Sequence, residues 1–171
     1  MSLEIIKIRL RIKSMDKSTY LMKNISLIKH ASTAPGLRIF GLGPSFKPMK
    51  GLEKLQILFN QNTLWAKDRT INQIKKMLVN SNVIITLWNK NNLVGFGRAT
   101  TDQVYRAVLW DIVISKDVQR IGLGKVIVEE LLKDKKINSA EKIYLMTTDS
   151  KDFYKQLGFK VNINQTLMVL T

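Results

Sequence analysis

Three short apolar segments followed by a change of pattern constrain the fold of this chain more than any other feature. The segments cover residues 83–88, 93–101 and 105–114, and polar turn residues separate them. This spacing predicts an antiparallel meander of three strands. The chain then enters a glycine-containing loop, and apolar residues recur at helical spacing over positions 123–132. Strands followed by a loop, a helix and a further strand predict an α/β domain.

Further elements flank this unit. Residues 51–60 have a helical apolar pattern, and Thr70 and Gln73 have the spacing of a capping box that opens a second helix. After the meander and its helix we predict three elements: a strand at 143–146, a helix at 150–157 and a final strand at 167–170. Shorter extended segments are expected at residues 3–12 and 38–44.

Composition excludes several classes of site. The 171 residues suit one domain and include no cysteine and one histidine, His30. Without cysteine there is no disulfide scaffold, no Cys-ligated metal site and no cysteine nucleophile. A single histidine excludes a His-rich metal cluster, so we expect no metal. No apolar run approaches the roughly 18 residues that a membrane span requires.

The charge is strongly positive and uneven. The formal net charge is +15, and residues 1–80 carry 15 basic and 4 acidic side chains, a net +11. Such a charge favours an RNA or acidic partner. However, no run of five basic residues occurs, and Lys, Ile and Asn together supply 52 residues, which is typical of AT-rich coding. We therefore do not predict a nucleic-acid partner, although a non-enzymatic basic binding protein stays open as the alternative.

The amino-terminal segment has no sustained periodicity. Residues 1–36 are rich in Lys and Arg, which interrupt the apolar core that a secretory signal needs. We expect residues 1–36 to form a basic extension that is poorly ordered or weakly structured. Residues 37–171 are then a single domain.

The loop after the third strand carries a phosphate-binding pattern. Gly122 and Gly124 allow close approach of the backbone, and Arg120 and Lys125 add positive charge. A helix begins here, and helix amino termini bind anions. The segment matches neither a P-loop nor a dinucleotide fingerprint, because Val126 follows Lys125 and the last fingerprint glycine is missing. Taken alone, the pattern also fits a helix-start turn without a ligand.

Two motifs in this order resemble a known superfamily. Residues 119–124 (Gln-Arg-Ile-Gly-Leu-Gly) match Gln/Arg-x-x-Gly-x-Gly/Ala, and residues 152–159 (Asp-Phe-Tyr-Lys-Gln-Leu-Gly-Phe) follow about thirty positions later. The chain thereby resembles the GCN5-related N-acetyltransferases (GNAT). Residues 93–102 and 110–114 are similar to its plastid and cyanobacterial branch, which includes chloroplast serotonin N-acetyltransferases and red-algal plastid reading frames. The resemblance implies an α/β acyl-CoA N-acyltransferase fold: a mixed, mostly antiparallel sheet splayed at its centre, with helices on both faces.

The resemblance also implies site residues. Backbone groups of β-strand residues would pair with pantetheine, and loop N–H groups would hold the pyrophosphate of acetyl-CoA. Ser150 lies in the stretch where the family usually has an Asn that contacts pantetheine. The implied cofactor-binding residues are Ile112, Val113, Ile114, Gln119, Arg120, Ile121, Gly122, Leu123, Gly124, Lys125 and Ser150. Tyr154 would protonate the departing thiolate, or it is a packing residue.

The proton from the attacking amine requires a base, and a carboxylate can supply one. Asp111 is the first candidate, because it is a charge inside an apolar strand. The alternative is a structural aspartate satisfied by neighbouring N–H groups, by Arg98 or by Arg106. Asp149 is the second candidate, or it caps a helix. Aromatic residues at 65, 88, 105 and 110 could wall an acceptor pocket, or they belong to the core.

These observations predict an N-acetyltransferase. Acetyl would pass from acetyl-CoA to a primary amine in a direct ternary complex, since no cysteine can carry it. The acceptor could be a protein amino terminus, a lysine or a small arylalkylamine. We expect an intracellular protein without a membrane partner, located in the plastid by resemblance and otherwise in a bacterial cytoplasm.

Overall fold

The computed structural model describes residues 25–30 and 50–170. Within them, one five-stranded sheet has the order β1-β2-β3-β4-β5. Neighbouring strands are antiparallel except β4 and β5, which run parallel. The strands are β1 (Ile25–His30), β2 (Val83–Asn89), β3 (Asn92–Thr101), β4 (Arg106–Ile114) and β5 (Lys142–Leu145).

Helices cover both faces of the sheet. The helices of the described residues are α1 (Gly51–Asn62), α2 (Ile71–Val79), α3 (Leu123–Leu132), α4 (Lys135–Asn138) and α5 (Lys151–Gln156), with a 3-10 turn at Lys116–Val118. Phe59 of α1 and Ile74 of α2 pack on one face against Phe96. Ile127 of α3 packs on the other face against Ile85. The predicted α/β fold class is confirmed. None of these helices is long and apolar enough to cross a membrane.

The capping box at the start of α2 forms as predicted. The Thr70 hydroxyl accepts a hydrogen bond from the Gln73 N–H at 3.2 Å, and the Thr70 N–H donates to Gln73 Oε1 at 2.7 Å. Both bonds satisfy N–H groups that have no partner within the helix. The predicted meander also forms, and its strand boundaries lie within two residues of those predicted.

The amino-terminal prediction differs from the structure at one place. Ile25–His30 lies inside the segment that we predicted to be a weakly structured extension, yet it forms β1 and pairs with β2 over six residues. Leu27 packs in the α3-side core and Ile28 in the α1-side core. Because both faces are covered, the strand shows no clean alternation of apolar and polar residues. The remainder of residues 1–36 and the extended segments expected at 3–12 and 38–44 lie outside the described residues.

The predicted final strand is wrong. Residues 167–170 belong to no strand, and their side chains are exposed. Their apolar composition, which includes the β-branched Val169, led to the prediction of a strand. A strand also requires a backbone partner, however, and local sequence does not specify one.

The sheet opens between β4 and β5, at one end of the described strand order. β4 pairs with β5 through Arg106, Ala107, Val108 and Leu109 only, and the last pair is Leu109 with Leu145. β4 continues for five more residues, while the chain after β5 turns away into the loop before α5. We call residues 110–114 on the side facing β5 the open edge. The resemblance implies a splay at the centre of the sheet; among the described strands the parting lies between β4 and β5, and it positions the site described next.

Candidate active site

Two cavities flank the open edge and meet there. The first, of about 640 Å³, lies between β4, the start of α3 and α5. The second, of about 670 Å³, lies between β4, the loop after α1 and the loop before α5. Ile112, Ser150 and Tyr154 line both cavities. A molecule seated in the first cavity can therefore reach one seated in the second beside these three residues.

The loop before α3 is shaped to receive an anion. Gly122 caps α3 with a left-handed φ of 88°, and no side chain among the described residues caps this helix. The N–H groups of the first helical turn have no partner within the helix. Arg120 is also left-handed, with φ 64°. Backbone N–H groups at such a helix start form an anion site, and the helix dipole adds to it.

Glycine at position 124 allows α5 to approach this loop. A Cβ at Gly124 would lie 3.3 Å from Phe153 Cζ, which is tighter than ordinary contact. Lys125, on the same turn, is largely exposed and lies 3.7 Å from Glu129. An exposed pair of this kind contributes little to stability, so the ammonium group is available to an anion.

Most of the predicted cofactor residues lie together. Nine of the eleven line the first cavity: Ile112, Ile114, Gln119, Arg120, Gly122, Leu123, Gly124, Lys125 and Ser150. The Val113 side chain instead packs in the α1-side core with Phe96, and Ile121 packs against the α3-side core. The predicted role of Val113 concerns its backbone, which belongs to the open edge. The binding roles of all eleven stay predictions.

Tyr154 lies where the two cavities meet. Its ring packs edge-on against Phe153 at 4.9 Å and Phe159 at 5.9 Å between centroids. Burial raises the pKa of Tyr154 above its ordinary value of 10.0. The hydroxyl is therefore protonated at neutral pH and can donate a proton. The side chain packs against the α3-side core and also lines both cavities, and its role as the acid stays a prediction.

Asp111 is held by two arginines. Arg98 Nε donates to Oδ2 at 2.5 Å, and Arg69 Nη1 donates to Oδ1 at 3.3 Å. The carboxylate side chain is only 5% exposed. This geometry favours the structural alternative, with Arg98 as the partner, while Arg106 instead lies 3.7 Å from Glu141. Sequence reasoning missed Arg69, because it comes from the loop after α1, 42 positions away, and no local pattern marks it.

Asp149 is placed differently. It is exposed, lines the second cavity, and has no ion pair within residues 25–30 and 50–170. Ser150 is the residue that caps α5, and no side chain there makes a capping hydrogen bond. The helix-cap alternative for Asp149 therefore has no support in the structure.

Aromatic and cationic side chains wall the second cavity. The Arg69 guanidinium lies 5.5 Å from the Trp65 ring, and the Arg98 guanidinium lies 5.5 Å from the Trp110 ring. Of the four predicted aromatic residues, Trp65 and Trp110 line this cavity. Trp88 is fully buried in the core. Among the described residues, no group of three His, Asp or Glu side chains could hold a metal ion.

Comparisons with known proteins bear on the family and the fold. Residues 52–159 match the model of the acetyltransferase (GNAT) family. Proteins named uncharacterized N-acetyltransferase ycf52 from Pyropia yezoensis and Porphyra purpurea are each 41% identical over 100 residues, which is 56% of this chain and 57% of theirs. A protein of Arabidopsis thaliana named GCN5-related N-acetyltransferase 1, chloroplastic, is 39% identical over 67 residues, 39% of this chain and 34% of its own.

A solved structure has the same fold. A GNAT-family acetyltransferase of Streptococcus pneumoniae TIGR4 superposes with a TM-score of 0.64 at 19% identity, covering 86% of this chain and 97% of its own. This chain belongs to the GNAT family of acetyltransferases. The matched region spans little more than half the length of the Pyropia and Porphyra relatives.

Proposed function

We propose that this protein transfers an acetyl group from acetyl-CoA to a primary amine in a direct ternary complex. The observation that carries the proposal is the meeting of the two cavities at the open edge of β4. One cavity contains the start of α3, where no side chain of the described residues caps the helix, and the other contains the Asp149 carboxylate, which has no ion pair among those residues. A donor with a phosphate-bearing tail and an amine acceptor fit these two environments.

The donor has partners in the first cavity. The N–H groups of residues 120–125 would bind the pyrophosphate, with Gln119 and Lys125 at its border. The backbone of Ile112, Val113 and Ile114 would pair with the amide groups of pantetheine, as an added strand pairs with a sheet edge. Ser150 would contact the same arm from the opposite side, since it lines both cavities. Acetyl-CoA supplies the acetyl group as a thioester.

Two side chains would transfer the protons of the reaction, one as the acid and one as the base. The amine nitrogen attacks the thioester carbonyl, so that a C–N bond forms and the C–S bond breaks. Tyr154 gives its hydroxyl proton to the departing thiolate, and Asp149 takes the proton that the amine loses. Asp149 suits this role better than Asp111, because no arginine within residues 25–30 and 50–170 bonds to either of its oxygens. The sequence contains no cysteine to carry the acetyl group, which supports direct transfer.

Ligand-dependent stability tests the donor. Because binding to the folded state stabilises it, acetyl-CoA in excess over its Kd should raise the melting temperature of the purified protein. Acetate at the same concentration is the control and should have no effect. No shift at millimolar acetyl-CoA contradicts the proposal. Salt-sensitive RNA binding without such a shift would favour the basic binding protein instead.

Labelled acetyl-CoA tests the acceptor and the base. The purified protein is incubated with peptides, polyamines and arylalkylamines, and transfer of label identifies the acceptor class. Asp149→Asn should then lower turnover about 100-fold, because the amide cannot take a proton. Asp152→Asn is the matched control, since Asp152 is exposed and pairs with Lys155 at 3.0 Å outside both cavities. Equal turnover in the two variants removes Asp149 from the base role.

The relatives support a compartment as well. Arabidopsis relatives carry the word chloroplastic in their names. We extend this to the present chain as a plastid location. Fractionation of the source cells with an antibody against the protein tests it, and recovery outside the plastid fraction would contradict it.

A further inference from the structure

We infer that Asp111 is a positioning residue: held by Arg98 and Arg69, it fixes a bend in β4 that directs the open edge toward the first cavity. The inference rests on the proposed function, since positioning concerns the acetyl-CoA site. It gives Asp111 a role other than that of the base.

The bend is a β-bulge. Phe96 of β3 stands opposite Val113, and Arg98 stands opposite Trp110. Two β4 residues, Asp111 and Ile112, therefore occupy the space opposite the single residue Gly97. Asp111 has a φ of 52°, in the left-handed region that few side chains other than Asn and Asp adopt. An extra residue in one strand with left-handed backbone bends that strand and disrupts its pairing.

The bulge changes which side chains share a face. In a regular strand Leu109, Asp111 and Val113 would point to one side. Here Leu109 and Ile112, three positions apart, both pack in the α3-side core, while Val113 packs on the α1 side. The extra residue thus turns Ile112 and Ile114 toward the first cavity, where both line the wall. Without the bulge, this part of the cavity would have other side chains.

Left-handed backbone at a non-glycine residue costs free energy and persists only where its surroundings impose it. The Arg98 and Arg69 contacts engage both carboxylate oxygens of a nearly buried side chain. Each arginine also lies over an aromatic ring, Arg98 at 5.5 Å from Trp110 and Arg69 at 5.3 Å from Phe59. Charge-assisted bonds between held groups are the stronger ones. We call Arg98, Asp111 and Arg69 the clamp.

The clamp also joins the two cavities. Arg69 lies in the loop between α1 and α2, and it lines the second cavity together with Trp65. Asp111 therefore connects the open edge of β4 to the wall of the second cavity. A base must present an oxygen lone pair to the amine, whereas the Asp111 side chain is only 5% exposed and each of its oxygens already accepts a hydrogen bond from an arginine. Positioning is consequently the role that these contacts allow.

Three substitutions at one position test the inference. Asp111→Asn keeps the shape and tolerates left-handed backbone, and its single amide oxygen can still accept from one of the two arginines. Asp111→Gly tolerates the backbone and lacks the clamp. Asp111→Ala has neither property. We expect kcat/KM for acetyl-CoA to fall about 100-fold in the Ala variant, with the Asn variant within about threefold of wild type and the Gly variant between them.

The same series separates positioning from catalysis. A base at Asp111 would make Asn as inactive as Ala, because neither takes a proton, and the limb of the pH profile that reports the base would disappear in both. Positioning leaves that limb in place in the Asn variant. Equal loss of kcat in Asn and Ala, with loss of the limb, overturns the inference.

Hydrogen exchange provides a readout that needs no activity. Without ligand, the amides of residues 110–114 should exchange faster in Asp111→Ala than in wild type, and at near wild-type rates in Asp111→Asn. Unchanged exchange in the Ala variant overturns the clamp, whatever the protein catalyses. If the Ala variant fails to fold, Asp111→Gly replaces it in both measurements. A missing acetyl-CoA thermal shift in wild type contradicts the proposed function, and the exchange measurement still decides the clamp.

Discussion

The two ends of the sheet differ in how completely their strands are paired. At one end β1 and β2 pair over six consecutive residues, from Ile25 with Asn89 to His30 with Ile84. At the other end β4 and β5 pair over four, and the open edge begins. The first end, which we call the closed end, is covered on both faces, whereas the open edge lies between two cavities. The difference indicates that the closed end stabilises the fold while the open edge is left available for binding.

Polar groups illustrate the contrast. At the closed end Thr86 Oγ1 accepts from Trp88 Nε1 at 2.9 Å and lies 3.0 Å from His30 Nε2, and all three side chains are buried. At the open edge, by comparison, no strand of the described residues pairs with positions 110–114 on the β5 side. Changes at the closed end should therefore alter stability, and changes beside the open edge should alter activity.

Acid should have the largest effect, and it acts on the closed end. Burial lowers the pKa of His30 from 6.5 to about 4. Between these values the unfolded chain binds a proton that the folded protein does not, so stability falls as the pH drops. The free energy of unfolding is therefore about 3 kcal/mol higher above pH 6.5 than at a pH well below 4, as far as His30 determines it. Denaturant titrations of wild type and His30→Gln from pH 7 to 4 should give a steeper loss for wild type. Equal slopes would show that His30 does not titrate in this way.

Tyr154→Phe should be the next largest change, and it acts beside the open edge. Removing the hydroxyl eliminates the proposed acid, so turnover should fall about 100-fold. The ring and its packing remain, so the acetyl-CoA thermal shift and the melting temperature should change little. Phe153→Leu is a useful comparison, because it disturbs packing and keeps the hydroxyl. Full turnover in Tyr154→Phe would make Tyr154 a packing residue.

Gly97→Ala should lower both the stability of the fold and the binding of acetyl-CoA. A Cβ at Gly97 would overlap Ile127 Cγ2 and lie 2.9 Å from Ile112 Cδ1. Overpacking of this kind costs about 2 kcal/mol, and moving Ile112 should also weaken acetyl-CoA binding. Combining it with Ile127→Ala, which removes the clashing atom, should give a double variant more stable than the sum of the single effects. Strict additivity would contradict the close contact.

Gly122→Ala should have the smallest effect. A Cβ there would meet no atom within 4 Å, so only the left-handed backbone opposes the substitution. We expect about 1 kcal/mol of destabilisation and a fewfold weaker acetyl-CoA affinity. Gly122→Asn should recover part of the loss, since Asn tolerates this conformation. A loss as large as that of Gly97→Ala would mean that the site is more crowded than the structure shows.

Sequence alone predicts the elements whose partners are near in the chain. The meander, the capping box at Thr70 and the glycine-containing helix start were all specified by spacing within about ten residues. The elements and contacts that the sequence did not predict depend on partners far away in the chain. β1 needs β2 across more than fifty residues, and the Asp111–Arg69 contact joins positions 42 apart. The bulge at Asp111 likewise arises from pairing with β3, since its φ cannot be derived from an apolar strand pattern.

The pairing of β1 also bears on the order in which the protein folds. β2, β3 and β4 follow one another with short turns, so their contacts form at little entropic cost. β1 can join only after a loop that contains α1 and α2 has closed. We therefore expect the sheet to assemble from its middle and to acquire β1 late, with the Lys29–Asp134 ion pair at 2.7 Å forming in that last step. Pulse-labelling hydrogen exchange during refolding should protect the amides of β2 to β4 before those of β1, and simultaneous protection would contradict this order.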